Sequence, residues 1–305
     1  MKTDVEPVYL ETKRRGTLRD KINQARAVLK SCTLCPRECE VDRLADELGD
    51  CRTPENAIVS SFNAHFGEEP PLVGAFGSGT IFFTHCNLLC NFCQNFDISH
   101  EGQGTEYSLA QLATSMLTLQ AKGCHNINFV TPTHVVPQIL AALDMAIEGG
   151  LNIPLVYNSS GYDKVETLAI LDGIIDIYMP DFKFWDPRIA ELTTNAPDYP
   201  EVARKALKEM HRQVGDLKVE MNGIATHGLI VRHLVMPNGT AGTGEVMTFI
   251  AEEISPDTYV NIMDQYRPCG KAHQVDEINE SLSPAAFDHA MEQARAAGIT
   301  RFAAP

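Results

Sequence analysis

The sequence predicts an α/β fold: a partial (β/α)6 barrel preceded by an N-terminal cysteine-rich extension. Three observations point there. Short apolar runs alternate with helical patterns from Gly79 onward, polar or small residues follow most of those runs, and seven of the nine cysteines concentrate between Cys32 and Cys93. Strands alternating with helices of this length imply βαβ units and a parallel sheet.

The elements follow in order. "LRDKINQARAVLKSC" repeats Leu18, Ile22, Ala25 and Leu29 at helical spacing and leads into the first cysteine group. Then come "TIFFTH", "NINFVTP", "IPLVYNSS", "IDIYMPDFK", "HGLIVRHLVMP" and "TYVNIMDQY" as strand patterns. Between them "LAQLATSMLTLQAKG", "VPQILAALDMAIEGG", "KVETLAILDG", "ARKALKEMHRQVG" and "EVMTFIAEEI" read as helices, and "SPAAFDHAMEQARAAG" closes the chain as another. This gives about six or seven strands, which fit a closed or partly open barrel better than a two-layer sheet. Residues 1–75 are expected to form the N-terminal helix and cysteine-rich metal-binding module, and residues 76–305 the barrel with its C-terminal helix.

Composition narrows the partners. A 305-residue chain that is 44% hydrophobic can bury a substantial core without cross-links. A formal charge of -15 argues against nucleic acid or an anionic membrane as partner. No apolar run approaches the ~20 residues of a membrane span, and no apolar stretch follows "MKTDVEPVYLETKRRG", so a cytoplasmic location is expected. An odd number of clustered cysteines without a secretion signal favours metal ligation over disulfides.

"FFTHCNLLCNFCQNFDIS" carries Cys86, Cys90 and Cys93 in the loop after the first barrel strand. Three sulfur ligands suit a 4Fe-4S cube with one iron left open, whereas structural zinc usually takes four closed ligands. A zinc site completed by His85 or His100 is the alternative. Cys32, Cys35, Cys39 and Cys51 offer four thiols, consistent with zinc or a second iron-sulfur cluster.

Cys-x3-Cys-x2-Cys with an aromatic before the last cysteine, placed after a first barrel strand, resembles the signature of the radical SAM superfamily. With "CTLCPRECEVDR", "HFGEEPPL", "VTPTH", "YNSSGY", "DIYMPDFKF", "RHLVMPN" and "MDQYRP", the chain is similar over roughly residues 30 to 270 to the pyruvate formate-lyase activating enzyme-like branch. The resemblance implies a TIM-like barrel of radical SAM type and a 4Fe-4S cluster on Cys86, Cys90 and Cys93. It also implies S-adenosylmethionine on the open iron, with Phe92 against the adenine. Reductive cleavage of that sulfonium would give methionine and a 5′-deoxyadenosyl radical for hydrogen abstraction. The resemblance further implies an external one-electron reductant such as flavodoxin or ferredoxin, and a possible protein substrate, a glycyl radical enzyme.

The Gly-Gly-Glu-type segment of the family is replaced by "NFVTPTH", which assigns the methionine contacts to Thr131 and Thr133 or to backbone. Asn158 and Ser159 are candidates for the ribose hydroxyls or the methionine carboxylate, or serve a turn. Asp181 and Lys183, two apart on a strand, share a face and resemble the Asp-x-Lys segment of activating enzymes; the alternative is a solvent-facing ion pair. Arg232 and His233 project oppositely: Arg232 is the candidate carboxylate fork, His233 a catalytic or a satisfied core histidine. Gln265, Tyr266, Arg267, Glu68 and Glu69 are further substrate-side candidates. The glycines of "GAFGSGTIFF" precede a strand rather than a helix and so do not form a phosphate loop. The rival from another class is a non-catalytic iron-sulfur electron-transfer protein or a zinc-binding interaction protein.

Overall fold

The computed structural model describes residues 5–303. Ten strands form one connected sheet among these residues: β1 Ala57–His65, β2 Ser78–Phe83, β3 Thr105–Tyr107, β4 Ile127–Val130, β5 Leu155–Ser159, β6 Ile177–Pro180, β7 Lys218–Val219, β8 Ala225–Leu234, β9 Tyr259–Met263 and β10 Arg301–Phe302. The order is β10-β9-β8-β6-β5-β4-β2-β1-β3, with β7 paired to β8. From β2 through β9 the neighbours run parallel, six strands joined by helical crossovers. β10 extends this series in parallel, while β1 lies antiparallel to β2 and β3 antiparallel to β1. The sheet has two edges and is not closed, so the partly open form of the expected barrel is the one found.

Strand alternation divides the apolar residues between two cores. Ile81, Phe83, Ile127, Phe129, Leu155, Tyr157, Tyr178, Leu229 and Val231 face outward into the main core with the helices. Val156, Ile177, Met179, Ala225 and Ile230 face inward and pack around Leu72 and Leu217. Burial on both faces explains why these strands read as continuous apolar runs. Leu72 arrives on the turn Pro70–Val73, where Pro70 and Pro71 occupy the first helical positions and need no donor.

The crossover helices start where side chains can satisfy their first N–H groups. Ser108 and Gln111 form a capping box ahead of Leu109–Ala121, and Ser283 caps Pro284–Ala296. Tyr199–Val214 buries Ala203, Ala206, Leu207, Met210 and Val214 at helical spacing against β6 and β8.

The N-terminal helices Val8–Arg14 and Leu18–Val28 lie on the barrel's outer layer. Tyr9 donates to the Ile153 carbonyl at 2.9 Å and Thr12 to that of Gly173 at 2.6 Å. Leu18, Ala25 and Leu29 of the expected stripe are buried, and Ile22 is half-buried. β1 was not foreseen; it hydrogen-bonds to β2 and carries the sheet across residue 75.

Candidate radical SAM active site

The loop after β2 is folded tightly by contacts from three other parts of the chain. His85 and Leu89 take positive φ values of 63° and 55°. Arg37 supplies the largest clamp, donating to the carbonyls of Asn87 (3.0 Å), Leu88 (3.2 Å), Thr194 (2.8 Å) and Asn195 (2.6 Å). Asn87 donates to the Tyr162 carbonyl at 2.8 Å, and the Asn91 N–H reaches Thr193 O at 2.9 Å. The result turns Cys86, Cys90 and Cys93 into one cavity of about 400 Å³.

The same cavity is lined by Phe82, Phe92, Thr131, Asn158, Ser159, Ser160, Asp181, Lys183, Arg232 and Gln265. Most of these follow the C-terminal ends of parallel strands, the end where barrels of this kind assemble their sites. Phe92 is buried, edge-on to Phe184 with ring centroids 5.7 Å apart. Thr131 stands at φ 58° and its N–H donates to Asn158 O.

Thr133 does not line the cavity among the described residues. Its hydroxyl donates to Asp163 Oδ1 at 2.7 Å, as does the Tyr157 hydroxyl at 2.9 Å, while Ser159 Oγ donates to Oδ2 at 2.6 Å. Asp163 is the hub of this buried knot, and burial raises its carboxyl against those three hydrogen bonds. The sequence reading passed over it. Ser160, beside Ser159, has a buried hydroxyl with no partner and faces the cavity.

Asp181, Lys183 and Arg232 meet. β6 ends at Pro180, but Asp181 still bridges to Arg232 on β8, and Phe182 between the two charges turns into the core. Lys183 Nζ lies 2.5 Å from Asp181 Oδ2 and Arg232 Nε 2.8 Å from Oδ1, with Arg232 Nη2 2.7 Å from Asn158 Oδ1. The pair is therefore not solvent-facing: the Asp181 and Lys183 side chains are 13% and 15% exposed. Burial opposes ionisation of Asp181, but Arg232 and Lys183 outweigh it and hold the carboxyl below the usual carboxylate range. Lys183 is likewise desolvated, yet Asp181 keeps its ammonium above the ordinary lysine value.

His233 points the other way and is fully buried. Its Nδ1 is 2.7 Å from Phe182 O and its Nε2 2.9 Å from Thr243 Oγ1, the pattern of a neutral core imidazole, with burial lowering it to about 4. Of the remaining candidates, Tyr266 lines the cavity but donates to Ile278 O at 2.6 Å, and Arg267 is not among the lining residues. Glu68 lines the cavity and Glu69 lies behind it.

The thiols fit an iron-sulfur cluster by their surroundings. The Leu88 N–H lies 3.3 Å from Cys86 Sγ and Ser99 Oγ 3.2 Å from Cys93 Sγ, donors of the kind that stabilise ligating thiolates. Burial alone would keep Cys86 and Cys90 protonated, so a cation on the sulfurs is what the loop requires for thiolates. Among the described residues no three His, Cys, Asp or Glu side chains close around one point as for a single ion. His85 lines the cavity, whereas His100 stacks on Phe96 at 4.1 Å and meets Ser99 Oγ at 2.8 Å.

Cys32, Cys35, Cys39 and Cys51 line a second, small cavity closed by Leu34, Arg37, Val41, Arg43, Gly49 and His134. Arg43 is 1% exposed and finds only carbonyls, His134 O and Pro54 O at 2.9 Å each, with Cys32 Sγ 4.0 Å away. A buried cation with no carboxylate partner is costly unless negative charge lies near it, and thiolates ligating a metal provide that charge.

A barrel open at one side with three thiols in Cys-x3-Cys-x2-Cys spacing on its first loop is the arrangement of the radical SAM class of enzymes. The family model of the radical SAM superfamily matches residues 80–234, and the chain belongs to that superfamily. A 4Fe-4S cluster and S-adenosylmethionine are the family's cofactors. Over 284 residues the chain is 34% identical to an uncharacterized protein, MJ0674, of Methanocaldococcus jannaschii, covering 90% of this chain and 77% of that one. The crystal structure of methylornithine synthase (PylB) is similar at 12% identity and a TM-score of 0.41, over 73% of this chain and 70% of that one. No helix among the described residues is long and apolar enough to cross a membrane.

Proposed function

We propose that the chain binds S-adenosylmethionine against Cys86, Cys90 and Cys93 and uses its cleavage to abstract hydrogen from a substrate carbon held deeper in the barrel. The observation that carries this is the shared cavity: the three thiols and the Asp181–Lys183–Arg232 network line the same space. Held by Cys86, Cys90 and Cys93, a 4Fe-4S cluster would supply the one electron that cleavage of the sulfonium's S–C5′ bond to methionine and a 5′-deoxyadenosyl radical requires.

The chain's own residues would do the rest. Phe92 offers an apolar face for the adenine, while Thr131, Asn158, Ser159 and the unpartnered Ser160 supply polar contacts to the ribose and methionine ends. Lys183 and Arg232, fixed by Asp181, present cationic donors to a carboxylate without needing to reorganise. Phe82, Phe92 and Leu234 keep bulk water from the reacting carbon.

The Asp181–Phe182–Lys183 segment and the motifs around it support the pyruvate formate-lyase activating enzyme-like branch, in which the carbon is a backbone glycine of a partner protein. On this reading flavodoxin or ferredoxin is the reductant, and the four N-terminal thiols hold zinc or a second iron-sulfur cluster.

The test is anaerobic reconstitution with iron and sulfide, then S-adenosylmethionine and dithionite. Equal amounts of 5′-deoxyadenosine and methionine are expected. A full cluster with no cleavage would leave only a non-catalytic iron-sulfur protein. A radical EPR signal on a co-purifying polypeptide tests the glycine.

A further inference from the structure

Opposite the cysteines, the cavity wall is completed by a segment that enters from the other end of the barrel. β1 runs antiparallel to β2 and ends with His65 beside Ser78, at the start of β2. The chain then turns under the strands, bringing Glu68 and Glu69 inward before Leu72 joins the inward-facing core. Glu68 lines the cavity, and its side chain is 8% exposed; that of Glu69 is 4% exposed.

These carboxyls are incompletely satisfied. Glu69 Oε1 accepts from Asn261 Nδ2 at 3.0 Å, but Oε2 of each glutamate is buried without a partner. Arg232 approaches no nearer than 4.0 Å to either, while its Nε and Nη2 hydrogen-bond to Asp181 and Asn158. The two carboxyls lie against each other, so a proton held by Glu68 is shared with Glu69 and offsets the cost of removing both from water. Glu68 stands on the cavity wall, and what can take that proton's place between two carboxyl oxygens is a positively charged N–H group.

We propose that Glu68, backed by Glu69, binds a basic nitrogen of the substrate, an ammonium or guanidinium, and thereby fixes which carbon faces the radical. This rests on the radical SAM reading of the cavity.

Charge counting gives the proposal a signature. Glu68, Glu69 and Asp181 face two cations, Lys183 and Arg232, with His65 on the cavity wall and Tyr259 against Glu69. Burial pushes the Glu68 carboxyl up to about 8, Arg232 opposing and Glu69 and Asp181 adding to the rise. The free site therefore holds a proton on Glu68 at neutral pH, and a cation must displace it. Binding should release about one proton, and affinity should weaken about tenfold for each pH unit below about 8.

The experiment is calorimetric titration of the oxygen-free, cluster-loaded protein with n-propylammonium, methylguanidinium and Nα-acetyl-lysine methylamide, in buffers of differing ionisation enthalpy, with n-butanol as neutral control. Saturable binding of a cation with proton release, lost together with its pH dependence in Glu68→Gln, is the expected result. Tighter binding of Nα-acetyl-lysine methylamide than of n-propylammonium would assign the nitrogen to a polypeptide side chain, and the reverse to a free amine; both support the site. No saturable cation binding by the wild-type protein, or binding without proton release, overturns the proposal even if Glu68→Gln fails to fold. S-adenosylmethionine cleavage is measured on the same wild-type sample: its presence without cation binding sinks this proposal alone, and its absence sinks the radical reading.

Discussion

The two cysteine sites are joined by one side chain, Arg37, yet they are built for different ends. Four thiols near the N-terminus are enclosed by Leu34, Val41, Arg43 and His134. Gly49 packs so closely there that an added Cβ would stand 2.8 Å from Cys39 Cβ and Sγ. Three thiols after β2 open instead onto a cavity shared with five strands' ends. A closed ligand set holds structure or a redox centre at fixed geometry, whereas an incomplete set beside an open space can bind a reactant. Arg37 lines the closed site and clamps the backbone at Asn87 and Leu88, so order in the first site is passed to the loop of the second.

The comparison is broken most severely by removing one thiol from each site. Cys90→Ala should reduce S-adenosylmethionine cleavage to background and remove the barrel site's iron, while leaving the N-terminal metal in place. Cys35→Ser should empty the N-terminal site and lower the unfolding midpoint by several degrees, since a structural metal contributes much of the folding free energy of a small module. Cleavage in Cys35→Ser should be impaired in proportion to disorder of the loop that Arg37 holds. Metal analysis, melting curves and cleavage rates on both variants check this. Loss of the N-terminal metal along with the barrel iron in Cys90→Ala would contradict two separate sites.

Much of this arrangement was legible in the sequence. Five of the six parallel strands announce themselves because they are buried on both faces, β9 alternating instead, and the cysteine loops because thiol spacing is local. Asp181 and Lys183 were expected on one face, with a solvent-facing pair as the alternative, and Arg232 as a carboxylate fork; β6 stops at Pro180, and their meeting depends on a single bridge to β8 rather than on a continued strand. β1 escaped notice because "AIVSSFNAH" sets Ser60, Ser61 and Asn63 among its apolar residues and lies between the two cysteine groups. Asp163 and Arg43 were invisible for a different reason. Each takes a partner from a segment distant in sequence, Thr133 for the first and His134 for the second, and no local pattern records such a meeting.

A smaller effect is expected from Arg232→Met, which sharpens the contrast by touching only the open site. The substitution leaves Asp181 with Lys183 alone and removes the donor to Asn158 Oδ1. Breaking a largely buried pair by removing one partner costs about 3 kcal/mol. Arg232→Lys should recover part of this, since an ammonium keeps the charge but not the fork that reaches Asp181 and Asn158 together. Urea denaturation of the cluster-loaded proteins measures both, and equal stability of the two variants would show that fork geometry rather than charge matters. The N-terminal metal should be unaffected.

The smallest effect at neutral pH belongs to His233, which shares β8 with Arg232 but faces the core. An unfolded imidazole takes up its proton near pH 6.5, the folded one only at about 4, because burial disfavours the charged ring despite the Phe182 carbonyl. Between those values the unfolded chain binds more protons, so this residue's contribution makes stability fall as pH drops from about 6.5 to about 4. His233→Gln retains a donor and an acceptor but cannot titrate. It should cost about 1 kcal/mol at pH 7 and lose about 1–2 kcal/mol less than wild type on going to pH 5. S-adenosylmethionine cleavage should survive. Parallel acid profiles would show that the ring is not held neutral, and loss of cleavage at unchanged stability would instead return His233 to the list of groups acting on the substrate.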